Sequence, residues 1–395
     1  MPQQDTADVA IVGGGVVGSG VAYALMQAPS PPKRVVIIER DTSYREASTP
    51  RSAGGVRQQF STPENILMSQ QTLKLIANLK QQFGPDADLS WREQGYLILA
   101  SAEGRDVLEG NVEVQRRMGA DIRLMEPAAL AQRFEWLKTD GVVAGSFGAS
   151  GEGWIDPVAL MTLLRRAAVD KGAEIICDTV AGIETSGGGV EALRMASGRK
   201  IATGTVVNAA GAWSGALARM AGVALPVEPR KRYVYVVDCR EASEAFRRGP
   251  LTVDPSGVWL RPEGRTFICG VSPSEADEPV AEDLDTIDYR PFEEVVWPTL
   301  AARVPVLESV KLINAWAGYY DYNTLDQNGI IGRHPELRNL IAASGFSGHG
   351  LQQGYAAGQA VAELILDGKF TSIDLTRFGW ERAIEGKPLL ELNVI

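Results

Sequence analysis

Residues that ligate metals or cross-link a chain are scarce here: 395 residues include three cysteines and two histidines. Cys177, Cys239 and Cys269 are far apart, odd in number and without a CxxC pair. That excludes a disulfide framework or a zinc site on paired thiolates, and fits free thiols in a reducing compartment. HExxH, GxSxG and P-loop patterns are absent, which leaves metal-dependent hydrolysis, serine hydrolysis and phosphoryl transfer without their usual residues. No metal is expected. Basic residues are outnumbered 39 to 49, for a formal charge of −10, which argues against nucleic acid or an anionic membrane as a partner. No apolar run approaches the roughly 20 residues of a membrane-spanning helix. The start, Met-Pro-Gln-Gln-Asp-Thr-Ala-Asp, has no basic or apolar leader. The expectation is a soluble, cytoplasmic protein with no integral membrane segment.

What is present is concentrated at the start. Asp8-Val-Ala-Ile-Val-Gly-Gly-Gly-Val-Val-Gly18 is an apolar run, a glycine turn and the opening of a small-residue helix; Val35-Val-Ile-Ile-Glu39 is a second apolar run ending in a carboxylate. Gly13 permits the sharp strand-to-helix turn, and Gly15 removes the Cβ that would hold the backbone away from a pyrophosphate. Gly18 and Ala22 let the helix lie close on a sheet. Phosphates would then sit at the helix N-terminus, against the N–H groups of Val16 and Val17. Glu39, followed by Arg40, can accept both hydroxyls of an adenosine ribose, whereas a 2′-phosphate would meet like charge. The reading is FAD or NAD, not NADP.

Further along, the first helix is stopped near Gln27 by Pro29, Pro31 and Pro32. The polar loop Ser48–Arg57 is too long for an ordinary strand–helix connection and is expected to be functional. Helical periodicity runs from Pro63 to Phe83, a strand from Gly95 to Ala100, helices over 103–118 and 126–134, and a strand from Val142 to Phe147. Asp156-Pro157 caps and opens a helix to about Lys171. Strands follow at Ile175–Cys177 and Lys200–Asn208, with a turn at Gly187-Gly-Gly189. From Val223 the texture is alternating strands; strand–helix texture returns after Leu312. The expected class is α/β (α+β overall): a Rossmann-like FAD-binding domain with an interleaved, mainly antiparallel sheet domain for substrate. The expected boundaries are 1–90, 150–222 and 312–395 for the first, and 91–149 and 223–311 for the second. A plain nicotinamide domain would close in one block of roughly 150 residues. The split therefore favours a flavin lying across the whole sheet.

Three constellations carry chemistry. Gly345-Phe-Ser-Gly-His-Gly350 after an apolar strand makes a second helix N-terminus able to stabilise negative charge on a reduced isoalloxazine. His349 is either a packing residue or a proton-transfer residue. Trp316-Ala-Gly-Tyr-Tyr-Asp-Tyr322 supplies aromatic walls with hydroxyl handles. Arg230-Lys-Arg232 is either a solvated strand edge or a carboxylate anchor, and Arg57 has the stronger claim to that role.

These stretches, with Ser52-Ala-Gly-Gly-Val-Arg57 and Asn208-Ala-Ala-Gly-Ala-Trp-Ser214, resemble the D-amino-acid oxidase family of FAD flavoproteins, which includes glycine oxidase, sarcosine oxidase and dimethylglycine dehydrogenase. The likeness is strongest to its branch of FAD-dependent oxidoreductase domain-containing proteins, one of which assists assembly of respiratory complex I. It rests on Gly54–Asn65, Glu152–Pro157, Glu228–Tyr235, Ala315–Gly329 and Gly345–Gln353. The resemblance implies FAD bound by Gly13, Gly15, Val16, Val17, Gly18, Glu39 and Arg40, and by Ser48, Ser52, Ala53, Gly54 and Gly55. It adds Val180, Ala210, Gly211, Trp213, Gly318, Gly345, Gly348, His349, Gly350, Leu351 and Gln352. It implies hydride transfer from the carbon beside a neutral amine to flavin N5, the imine then being hydrolysed, with O2 or an electron-transfer acceptor as second substrate. Arg57, Tyr319, Tyr320, Tyr322 and His349 are the expected substrate-site residues. The substrate would be a small amine or N-substituted amino acid of the sarcosine, dimethylglycine or iminodiacetate type. The sequence departs from the family at Tyr320, where glycine oxidase has its carboxylate-binding arginine, and at Gln352, where sarcosine oxidase has a lysine. A cysteine for covalent attachment is missing near Trp316–Tyr320, so noncovalent FAD is expected, and no lysine occurs over Phe267–Cys269 to activate oxygen. The same branch leaves open a flavoprotein assembly factor that partners a respiratory subunit without turnover.

Overall fold

A computed structural model describes residues 5–274, 278, 281 and 283–392. The apolar runs read at the start form the centre of a sheet. Strand Asp5–Val12 pairs in parallel with Val35–Glu39 on one side and Lys200–Asn208 on the other. Glu174–Cys177 and Leu340–Ser344 extend the parallel ladder at its two ends. Ile330–Arg333 closes one edge antiparallel to Leu340–Ser344. The hairpin Val180–Ser186/Gly189–Met195 turns at Gly187-Gly188 and attaches antiparallel to Lys200–Asn208.

The central strand is buried on both faces, as a covered parallel strand must be. Val9 and Ile11 face a core shared with Val21 and Leu25 of helix Val16–Gln27 and with Ala357 and Val361 of helix Gly350–Leu366. Ala10 and Val12 face the opposite core, closed by Leu193 of the hairpin and Leu217 of helix Ser214–Met220. Ile11, fully buried, contributes about 1.5–3 kcal/mol by leaving water.

Helix Val16–Gln27 also lies against helix Pro157–Asp170, whose N-cap is the expected one: Asp156 Oδ1 accepts from the N–H groups of Val158 at 2.8 Å and Ala159 at 3.1 Å. Its contact with helix Gly350–Leu366 is closer. A Cβ on Gly20 would lie 2.6 Å from the Gly354 carbonyl oxygen, and one on Gly358 only 2.3 Å from the Gly20 carbonyl carbon. The two helices cross backbone to backbone.

A second sheet runs in the order 311–323, 227–238, 266–270, 259–263, 251–253, 96–100, 144–148, 122–125. Every pairing in it is antiparallel except that between Leu251–Val253 and Tyr96–Ala100. Three details differ from the sequence expectation. The helical stretch 63–83 breaks at Asn78 into Pro63–Ala77 and Leu79–Phe83. Ile122–Met125 is a strand, too short for its period to stand out between two helices. Strand Lys311–Asn323 pairs with Val227–Asp238 along its length, from Val227 opposite Asn323 to Asp238 opposite Lys311. The expected boundary at 312 thus falls at the start of a strand of the second sheet.

Candidate active site

The glycine turn does what its spacing requires. Gly13 has φ +102°, and a Cβ there would sit 2.3 Å from the Ala209 carbonyl oxygen. A Cβ on Gly18 would be 1.9 Å from the Gly13 oxygen. Gly15 is different: a Cβ there meets only Thr49 Oγ1, at 3.3 Å, and otherwise opens onto a cavity. Packing explains two of the three glycines, and the third is bare toward empty space. The Val16 N–H donates to Thr49 Oγ1 at 3.1 Å, while the N-cap residue itself, Gly15, has no side chain to cap the helix. Glu39, at the end of its strand, lines the same cavity and accepts from the N–H groups of Gly14 at 2.8 Å and Asp41 at 3.0 Å.

The cavity, about 400 Å³, runs from Glu39, Arg40 and Val180 along the 48–53 loop and the Ala210–Trp213 turn. It ends among Arg57, Tyr96, Tyr320 and His349. Arg40 stacks 3.6 Å over the Trp213 ring, and Tyr319 meets that ring edge-on at 5.3 Å. Of the sequence-derived residues, Gly13, Gly15, Val16, Val17, Glu39, Arg40, Ser48, Ser52, Ala53, Gly55 and Val180 line the cavity. So do Ala210, Gly211, Trp213, Gly318, Tyr319, Tyr320, Gly348, His349, Gly350, Leu351 and Gln352. Gly18, Gly54, Gly345 and Tyr322 lie off it. Gly18 lies inside helix Val16–Gln27, packed on the Gly13 turn; Gly54 and Gly345 shape turns, both at φ +80°, while Tyr322 lies under Arg230 at 5.4 Å.

The far end is built from side chains. Asp321 Oδ2 accepts from the N–H groups of Gly345 at 2.8 Å and Phe346 at 3.1 Å, which fixes the turn in front of helix Gly350–Leu366. Burial pushes that carboxyl up to about 6. Gly348 must be glycine because a Cβ would lie 2.6 Å from Cε2 of Tyr320. Arg57 is 3% exposed. Its N–H donates to Gln352 Oε1 at 2.7 Å and its Nη1 to the Gln59 carbonyl. Its Nη2 lies 3.4 Å from His349 Nε2, and the guanidinium packs 4.0 Å over Phe60.

Burial, reinforced by the Arg57 charge, depresses His349 to about 3, so the imidazole is neutral near pH 7. Arg57 can only donate, so Nε2 accepts and the ring proton is on Nδ1, a buried atom with no partner among the described residues. Burial raises the Tyr320 and Tyr96 hydroxyls above the usual phenol range, which keeps both as neutral donors.

Several residues here have no sequence signature of their own. Thr49 holds the helix terminus and Asp321 holds the glycine turn. Tyr96 fits only because Gly55 lacks a Cβ, which would be 1.9 Å from its hydroxyl. Glu152, fully buried, accepts from Gln58 N–H at 2.6 Å, Gln59 N–H at 3.1 Å and Gln59 Nε2 at 2.7 Å. It thereby braces the segment that carries Arg57, and burial lifts it to about 7. Glu391 does the same for Ser61 and Thr62, accepting their N–H groups at 2.6 and 3.1 Å. The available signals were positional: Glu152 and Asp321 stand in family-like stretches, and Thr49 in the loop Ser48–Arg57.

A parallel sheet with this glycine turn, an acid on the next strand and a cavity reaching a second, antiparallel sheet defines a flavin-dependent oxidoreductase. Comparison with known proteins gives the family. Residues 8–364 match the family described as FAD dependent oxidoreductase (DAO). The chain is 42% identical to FAD-dependent oxidoreductase domain-containing protein 1 of Xenopus laevis, over 99% of this chain and 85% of that one. It is 27% identical to human mitochondrial sarcosine dehydrogenase, over 93% of this chain but 40% of that longer protein. Among solved structures, L-proline dehydrogenase from P. horikoshii superposes with a TM-score of 0.85 at 27% identity, covering 98% of this chain and 100% of that one.

The protein belongs to the DAO family: it is an FAD-dependent oxidoreductase, related to enzymes that oxidise amines and amino acids. The bare Gly15 and the unpartnered His349 Nδ1 fit a bound group with phosphates at one end and hydrogen-bond acceptors at the other. Among the described residues no helix is long and apolar enough to cross a membrane, and no cluster of three metal-ligating side chains occurs.

Proposed function

We propose that this enzyme oxidises the C–N bond of a small amine or N-substituted amino acid of the sarcosine, dimethylglycine or iminodiacetate type. The substrate gives up a hydride from carbon, together with the proton on nitrogen where the amine carries one, and the resulting imine or iminium ion takes up water to release a carbonyl compound and an amine. Bound FAD supplies the two-electron acceptor, held noncovalently. The observation that carries this reading is the single cavity joining the Gly13–Gly18 turn to Arg57, Tyr320 and His349. Phosphates belong at Gly15 and the ribose at Glu39. The reactive ring belongs beside the 52–57 loop and the Gly348–Leu351 helix start. The first sheet would then hold the cofactor and the second would cover the substrate.

The chemistry asks for orientation more than for a strong base. A neutral His349 offers its Nδ1–H as a donor. Arg57 fixes that tautomer and supplies positive charge at the site. Tyr320 and Tyr96 offer hydroxyl protons, and the aromatic walls exclude water. The test is anaerobic mixing of the yellow holoenzyme with a panel of N-methyl and N-carboxymethyl amino acids while following the visible flavin bands. Bleaching by at least one, on mixing, is expected; none bleaching it sinks the reading and favours a flavoprotein that serves a protein partner. Admitting air afterwards separates O2 from another acceptor.

A further inference from the structure

Arg232 is the one member of the Arg230–Arg232 triplet that lines the cavity, and the described residues take up only two of its five N–H donors. It stands on strand Val227–Asp238 opposite Gly318. With no side chain across from it, the guanidinium lies 5.2 Å over the ring of Tyr320, the same ring that packs against Gly348. One edge of the group is occupied: Nη1 donates to the Lys231 carbonyl at 2.9 Å and to Glu278 Oε1 at 2.5 Å. The other edge is not. Nε is buried and has no partner among the described residues, and Nη2 donates to none of them.

A buried guanidinium donor left unpaired is costly and rare, and the Nε–Nη2 edge is the planar fork that matches two carboxylate oxygens. Glu278 and the Tyr320 ring hold that fork in one orientation. We propose that Arg232 anchors the substrate's carboxylate through Nε and Nη2, so that the enzyme acts on amines bearing an acid group. Glu278 is then a positioning residue on the opposite edge. This rests on the amine-oxidising reading above and narrows it to amino acids.

The test titrates the holoenzyme with pyrrole-2-carboxylate and, separately, with the uncharged pyrrole-2-carboxamide, reading the perturbation of the flavin spectrum. Wild type is expected to prefer the acid. R232Q should weaken acid binding by roughly 30- to 1000-fold, the usual cost of truncating one partner of a buried charge pair, with amide binding and flavin content unchanged. R232K should recover only part of the loss, because an ammonium is not a fork. E278Q should leave acid binding unchanged or tighter. Equal acid affinity in R232Q and wild type overturns the proposal. So does parallel loss of acid and amide, or a wild type that does not distinguish the two. Bleaching by amines without a carboxylate, as fast as by their acids, would also overturn it while leaving amine oxidation intact. Arg232-dependent acid binding with no bleaching by any amine would do the reverse.

Discussion

The two ends of the cavity are made in opposite ways. At the Glu39 end the lining is built around tight turns, Gly13–Gly15 and Ala210–Gly211, with the Glu39 carboxylate and the stacked Arg40–Trp213 pair beside them. At the Tyr320 end it consists of side chains from residues 57, 96, 232, 320 and 349, and each is held by another buried group. A pyrophosphate is the same in every dinucleotide and can be met by N–H groups of fixed geometry. A substrate must be told from its neighbours, which takes side chains whose positions are determined elsewhere in the fold.

The largest effect should come from Gly15→Val. Its backbone, φ −61° and ψ −172°, suits a β-branched residue, and the new Cβ meets little protein. The variant should fold, with unchanged far-UV circular dichroism, yet bind FAD at least about 100-fold more weakly, as a steric penalty of roughly 3 kcal/mol implies. Full flavin content per chain would show that the cavity at Gly15 is not the pyrophosphate site. Arg57→Met probes the other end: flavin retained, but kcat/KM lowered roughly 100-fold for whichever amine bleaches the holoenzyme, from loss of a buried charge. Loss of flavin instead would merge the two ends into one. Tyr320→Phe keeps the ring under Arg232 and against Gly348, so Tm should hold while kcat/KM falls about tenfold through a single missing hydrogen bond. An unchanged rate removes the hydroxyl from the chemistry.

The smallest effect is in pH dependence. His349 is depressed in the folded protein, to about 3 against an ordinary 6.5. Between these values the unfolded chain takes the proton first. The contribution of His349 to stability is therefore full above about pH 6.5 and shrinks as pH falls toward 3. From pH 7 to 5 the Tm of wild type should fall more than that of His349→Gln; identical slopes would mean a solvated, titrating imidazole.

The same contrast governs what the sequence discloses. Gly13, Gly15, Gly18 and Glu39 are local in sequence, so their spacing reports their geometry directly. The parallel core was legible because Val9–Val12 and Val35–Ile38 are buried on both faces and read as unbroken apolar runs. Tyr96, Glu152 and Asp321 are not legible in this way. Their roles depend on a glycine, a loop or a turn more than 20 positions away, so even where the neighbouring residues draw attention, as around Asp321, the sequence does not say what the side chain holds. Strand Lys311–Asn323 was hard to assign for a related reason: strand Ile330–Arg333, next along the chain, belongs to the other sheet. The placement of Tyr320 beside Arg232 follows from β-pairing register, which composition and periodicity do not contain.

The crossing of helices Val16–Gln27 and Gly350–Leu366 has a mechanical consequence. Each helix begins at one end of the cavity, and Gly20, Gly354 and Gly358 bring their backbones into direct contact. The pair works as a rigid gauge whose two jaws are the pyrophosphate turn and the turn at His349. The distance between the two turns is thereby set by main chain and not by the choice of side chains in the core.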